Sequence, residues 1–248
     1  MVSSIGSYST AQTGNAVAFK AASATELVSD ASKNQGASGT QGGGTLTIST
    51  LASQLADSAS RAEARDKMLS RSELADKANS LLDQILGDAY QANKAKYNNE
   101  VPKTDDPELL ARAKQATEFV TSSDRGSRSV KNPFGSLSRE QLSNIIYDDS
   151  GNYTINERRA AYYESDDREQ AWRVKVAAQA MDEYNRTGKM TNFFSSVLDH
   201  FKELPTIEQA QYPKDYASDL ESKISRDFNY RTHQAEGKSE NPMNLIEM

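Results

Sequence analysis

The chain has 248 residues, of which 36% are hydrophobic, so it can bury a modest core but not a generous one. Its formal charge of -6 argues against electrostatic capture of nucleic acid or anionic lipid. With no cysteine there are no disulfides, thiolate zinc sites, iron-sulfur clusters or cysteine nucleophiles, and no run approaches the roughly 18 apolar residues needed to cross a bilayer as a helix.

The first 48 residues carry only four charges (Lys20, Glu26, Asp30, Lys33) against fourteen Ser or Thr and seven Gly. Such a stretch buries too little apolar surface to offset its backbone entropy, so residues 1–48 are read as a disordered leader ending in the flexible joint Gly42-Gly43-Gly44. Its longest apolar run, Ala16-Val17-Ala18-Phe19, is too short for a Sec signal core. A Ser/Thr-rich, charge-poor leader ahead of a cysteine-free helical body resembles the substrates of bacterial type III export systems. The resemblance is one of composition over about the first fifth of the chain. It implies a protein exported without a Sec signal, the alternative being a cytoplasmic protein with a plain flexible tail.

Residues 49–121 form a helical region of about three helices. Ser49 and Thr50 cap a helix running to about Leu69, with a thin stripe of Leu51, Leu55, Ala59 and Ala62. Ser70-Arg71-Ser72-Glu73 has the spacing of a capping box, and Leu74, Ala78, Leu81, Leu82, Ile85 and Ala89 carry a second helix to about Tyr97. These two helices are expected to pair as an antiparallel hairpin. Asp106-Pro107-Glu108 opens the next helix, with Leu109, Leu110, Ala113, Ala116 and Val120 facing inward.

Residues 122–137, rich in Ser, Gly and charge and holding Asn132-Pro133, read as a linker and a domain boundary. The cluster Arg125, Arg128 and Lys131 lies here and reads as linker solvation rather than a phosphate surface.

Residues 138–234 are expected to form a compact helical domain. Ser138 and Gln141 cap a short helix through Leu142, Ile145 and Ile146, and the acidic turn Asp148-Asp149-Ser150-Gly151-Asn152 follows. From Ile155 to Thr187 the pattern is interrupted at Ser165-Asp166-Asp167, which suggests two helices with a bend. Trp172, Val176, Ala180 and Tyr184 share a stripe that reads as core. After Gly188, Phe193, Phe194, Val197, Leu198, Phe201 and Leu204 make the most hydrophobic face of the chain, either core or dimer surface. Tyr216, Leu220, Ile224 and Phe228 repeat in a final helix, and residues 235–248 are a polar tail. No strand pattern is visible.

The turn after Ile146 carries the one candidate metal site. Setting Ile155 at the aliphatic position of an EF-hand loop puts Asp148, Ser150, Asn152 and the Thr154 carbonyl at ligand positions, which resembles that family over about half its loop. The family's mid-loop glycine is replaced by Tyr153 and its final bidentate glutamate by Arg159. Glu157 closes the loop only if it is shortened. The resemblance implies weak calcium binding by Asp148, Ser150, Asn152, Thr154 and Glu157; the other reading is a structural turn capped by Thr154 and Glu157.

The carboxylates Glu164, Asp166, Asp167 and Glu169 offer pairs of the kind a hydrolase uses, but charges at a helix start are usually solvated. His200 falls at the edge of the aromatic face, and His233 near the end of the last helix. No catalytic constellation stands out. The sequence therefore points to an all-α protein, a small helical bundle with an EF-hand-like helix-loop-helix, that binds a protein partner without catalysis. The favoured kind is an exported effector or secretion-associated protein, and the alternative is a weak calcium-binding regulator.

Overall fold

The computed structural model describes residues 49–127 and 129–237, all within the compact unit 47–248. The leader 1–48, Arg128 and most of the 235–248 tail lie outside the described residues. Among those described, helices dominate and the remainder is loops and a minimal two-stranded hairpin.

Helix α1 (Thr50–Met68) opens where the Ser49 side chain accepts from the Ala52 amide. Helix α2 (Arg71–Leu86) starts in the reciprocal Ser70–Glu73 capping box and turns Leu74, Ala78, Leu81 and Ile85 inward. Apolar periodicity alone would carry this helix to Tyr97, but the structure breaks it at Gly87 and resumes with α3 (Asp88–Tyr97). Gly87 is extended, with ψ -174°, and a Cβ there would sit 2.9 Å from the Asp83 carbonyl oxygen. Helix α4 (Pro107–Asp124) begins at Asp106, whose carboxylate accepts from the amides of Glu108 and Leu109, with proline at the first position, where no N–H is missed.

Helix α5 (Arg139–Ile146) is capped by Ser138 and Gln141, and α6 (Ile155–Thr187) by Thr154 and Glu157. The bend suggested at Ser165–Asp167 does not exist: α6 is one helix of 33 residues. No proline or glycine interrupts it. It ends at Gly188, whose φ of 76° is left-handed.

Helices α7 (Thr191–Lys202), α8 (Thr206–Gln209) and α9 (Tyr216–Arg226) complete the order. The buried Glu183 carboxylate accepts from the Asn192 and Phe193 amides at 2.8 and 3.0 Å, so α6 caps α7 from outside its own sequence. The last helix stops two residues before Phe228, not through it. Asp227 adopts φ 43° and accepts from Lys189 and Thr191, and the chain turns into β1 (Phe228–Asn229), paired antiparallel with β2 (Gln234–Ala235). His233 therefore sits in a hairpin turn with φ 58°, not at a helix terminus.

One core crosses residues 122–137, where composition suggests a boundary. Leu55 of α1, Leu81 and Ile85 of α2, Val120 of α4, Ile145 of α5 and Ala160 of α6 belong to a single cluster, into which Phe134 is inserted at 1% exposure. Each of the Leu, Ile, Val and Phe side chains contributes roughly 1.5–3 kcal/mol by leaving water. Helix α1 finds its main partners in α5 and α4 rather than in its successor α2. The Phe193–Leu204 face is also core: Leu198, Phe201 and Leu204 are buried, and α7 packs on α9, with the Phe201 ring edge-on to Tyr212 and Tyr216.

Two neighbouring arginines of α6 pin three helix ends. Arg158 donates to the carbonyls of Ile146 (2.9 Å) and Leu81 (3.0 Å), near the C-termini of α5 and α2. Arg159 donates to the Ile85 carbonyl and to the Asp124 carboxylate that ends α4, and lies 4.0 Å from the Tyr90 ring centroid. A cation at a helix C-terminus faces the negative end of the dipole, so both guanidinium groups are favoured there, although the buried Arg159 Nε has no hydrogen-bond partner among the described residues.

Candidate functional site

The turn between α5 and α6 is built around Asp148. Its buried carboxylate accepts from Ser150 N at 2.8 Å and from the Ser150 hydroxyl through one oxygen, and pairs with Arg61 of α1 at 2.7 Å through the other. The Ser150 hydroxyl accepts from the Asn152 amide, and the Asn152 carbonyl from Gln54 at 2.8 Å. Gly151, with φ 82°, supplies the sharp bend two residues earlier than an EF-hand alignment centred on Tyr153 would require. Tyr153 is instead buried, its hydroxyl beside Ser58.

Glu157 is fully buried, and both its oxygens are engaged. One accepts from the Thr154 amide and hydroxyl at 2.8 and 3.0 Å; the other takes the Arg112 guanidinium at 2.7 Å. Arg112 spends its remaining surface over the rings of Tyr153 and Phe134, 5.2 and 5.6 Å from their centroids. The five residues picked from the sequence thus lie in one turn, but their oxygens face amides, hydroxyls and guanidinium groups. Among the described residues no group of three or more His, Asp or Glu is arranged to hold a metal ion.

Beside the turn is a cleft of about 250 Å³ lined by Arg61, Arg65, Lys77, Tyr147, Asp148 and Asp149. Its cations are matched one to one: Arg61 with Asp148, Arg65 with Asp66, Lys77 with Asp149. Such a cleft has no excess charge of either sign with which to draw an ionic substrate.

A second polar cluster joins α5, α6, α7 and α8. Glu169 accepts from Arg139 at 2.6 Å and lies 2.8 Å from His200, whose ring stacks on Trp172. Burial pushes the Glu169 carboxyl up, but the hydrogen bonds from His200 and Arg139 outweigh it and bring it down to about 2. Glu208 of α8, 4.0 Å from Arg139, goes the other way: burial raises it, against the pull of Arg139 and a hydrogen bond with Ser143. Of the acidic run, Glu169 is therefore an interior partner rather than a solvated helix-start charge, while Glu164 pairs along the surface with Arg168. Neither Arg139 nor Glu208 carries a spacing signal in the sequence, because their meeting depends on how α8 docks.

The half of α6 beyond Glu169 is covered on one side only. Val176, Ala180 and Glu183 face α7, whereas Val174 and Met181 point away at 71% and 62% exposure, with exposed alanines 171, 177 and 178 among them. The stripe read as core, Trp172 to Tyr184, is half right: Val176 and Ala180 are buried, and Tyr184 is 36% exposed beneath Arg231. The outward face was not singled out in the sequence because its apolar residues are separated by charge. No protein-family model, curated protein or solved structure matches the chain.

Proposed function

We propose that the protein acts by binding another protein, without catalysis, and that it is of the exported, secretion-associated kind. The observation that carries the binding reading is the contrast along α6: its polar groups are paired inward, while Val174 and Met181 stand in water on a rigid rod. Large apolar side chains held in one line on an ordered helix suit helix-to-helix docking. Of the carboxylates that offer hydrolase-like pairs, Glu169 is held by Arg139 and Glu164 by Arg168, which supports a structural use for those two.

The export part rests on the composition of residues 1–48. Deleting residues 2–45 tests it: secretion through a type III apparatus should stop, and unchanged secretion refutes it. For binding, the full chain and a Val174→Glu/Met181→Glu variant are compared as baits. Protein capture by the first and its loss in the second is expected; equal capture by both removes the assigned face.

A further inference from the structure

Residues Ala171, Val174, Ala178, Met181 and Asn185 follow one another at intervals of three, four, three and four. That is the spacing of a seam that faces a partner helix along its length. All five are exposed, and they lie opposite the side of α6 that packs on α7. The seam is therefore additional to the fold's own packing. Its flank carries two charges of opposite sign one heptad apart, Lys175 and Asp182, both exposed; Asp182 pairs along its own helix with Arg186, and Lys175 has no acidic partner among the described residues.

We propose, resting on the binding reading above, that the occupant of this face is a second copy of the chain, with the two α6 helices antiparallel about a two-fold axis beside Ala178. In an antiparallel helix pair, the same flank of each helix meets across the seam. Counting outward from the axis, Lys175 of one copy lies level with Asp182 of the other, and the reverse contact is made by symmetry. In a parallel pair each flank meets the opposite flank, so Lys175 and Asp182 would face Gln170, Ala177 and Tyr184, none of which is charged. Charge complementarity thus selects one orientation of one partner. The alanines at 171, 177 and 178 let the two backbones approach closely, while Val174 and Met181 supply the apolar contact at each end. The seam is about 21 Å long at 1.5 Å per residue, which places the contact in the small, concentration-dependent class.

Sedimentation equilibrium of the full chain from about 10 μM to about 1 mM should show the mass rising toward twice the monomer value. Val174→Glu/Met181→Glu should stay monomeric at every concentration with unchanged helical circular dichroism, since both positions face water. Lys175→Glu or Asp182→Lys alone should weaken association at least about tenfold, and the two together should restore it to within about threefold. Because the chain has no cysteine, single replacements report geometry. Ala178→Cys should oxidise readily to a cross-linked dimer, whereas Val174→Cys should not, its two copies lying about 13 Å apart along the axis. A monomeric mass throughout, a dimer indifferent to Val174→Glu/Met181→Glu, or cross-linking as fast at Val174 as at Ala178 overturns the proposal. If the chain stays monomeric while the outward face still captures another protein, the second-copy inference falls and the binding reading stands.

Discussion

The indole of Trp172 lies flat on the imidazole of His200, ring centroids 3.6 Å apart and planes 10° from parallel. This contact joins α6 to α7 at the point where Glu169 and Arg139 meet the same histidine. Trp172→Ala removes the stack and opens the network to water, and should cost about 2 kcal/mol in chemical denaturation. His200→Phe, which keeps a flat ring and leaves Glu169 with Arg139 and Arg173, should cost less than Trp172→Ala. The reverse ranking would mean that the hydrogen bonds, not the stacked rings, hold α7 in place.

Acid should act on this joint in two opposite steps. Burial raises the Glu208 carboxyl above its ordinary 4.5, so its ionised form is a burden at neutral pH that is relieved as pH falls through the raised value. Glu169 is depressed to about 2, so its stabilisation is present above 4.5 and lost as pH falls from there through about 2. Melting temperature should therefore rise modestly from pH 8 toward pH 5 and drop below about 4.5. Glu208→Gln should flatten the rise and leave the drop. A monotonic profile in the native chain contradicts the assignment.

Glu157→Gln leaves the largely buried Arg112 guanidinium without its counter-charge, which should cost about 3–5 kcal/mol of stability. Pairing that change with Arg112→Met should recover a large part of the loss, because no buried charge is then left without a counter-charge. Additive losses in the double variant would show that the pair is not the cause.

Asp148→Ala removes the Arg61 ion pair and the Ser150 cap together and should destabilise by about 1–2 kcal/mol. Millimolar calcium should leave the melting temperature of both forms unchanged, since the oxygens of Asp148 and Glu157 already face protein donors. A calcium-dependent rise in the native chain that Asp148→Ala lacks is the contrary outcome and would favour the ion-binding reading of this turn.

The helix starts were legible because each is written locally: Ser70 with Glu73, Asp106 with Pro107, Ser138 with Gln141 and Thr154 with Glu157 all cap within three residues. What was not legible depends on distant partners. The break at Gly87 hides in an unbroken apolar period, and the hairpin at Phe228 hides behind a residue that continues the helical repeat, turned aside by the bonds of Asp227 to Lys189 and Thr191. The turn at 148–157 was located correctly, but an oxygen-rich sequence does not say whether its oxygens look toward solvent or toward Arg61 and Arg112. Arg158 and Arg159 gave no signal either, since two charges inside a helix resemble any solvated face until α2 and α5 are seen to end against them.

Helix termini usually fray because water competes for their last carbonyls. Here the last turns of α2 and α5 close on guanidinium groups inside the protein, from adjacent positions of a third helix. Amide exchange in those turns is thereby tied to opening of the whole body rather than to local unwinding, so that the two shorter helices and the first turns of α6 lose their protection together.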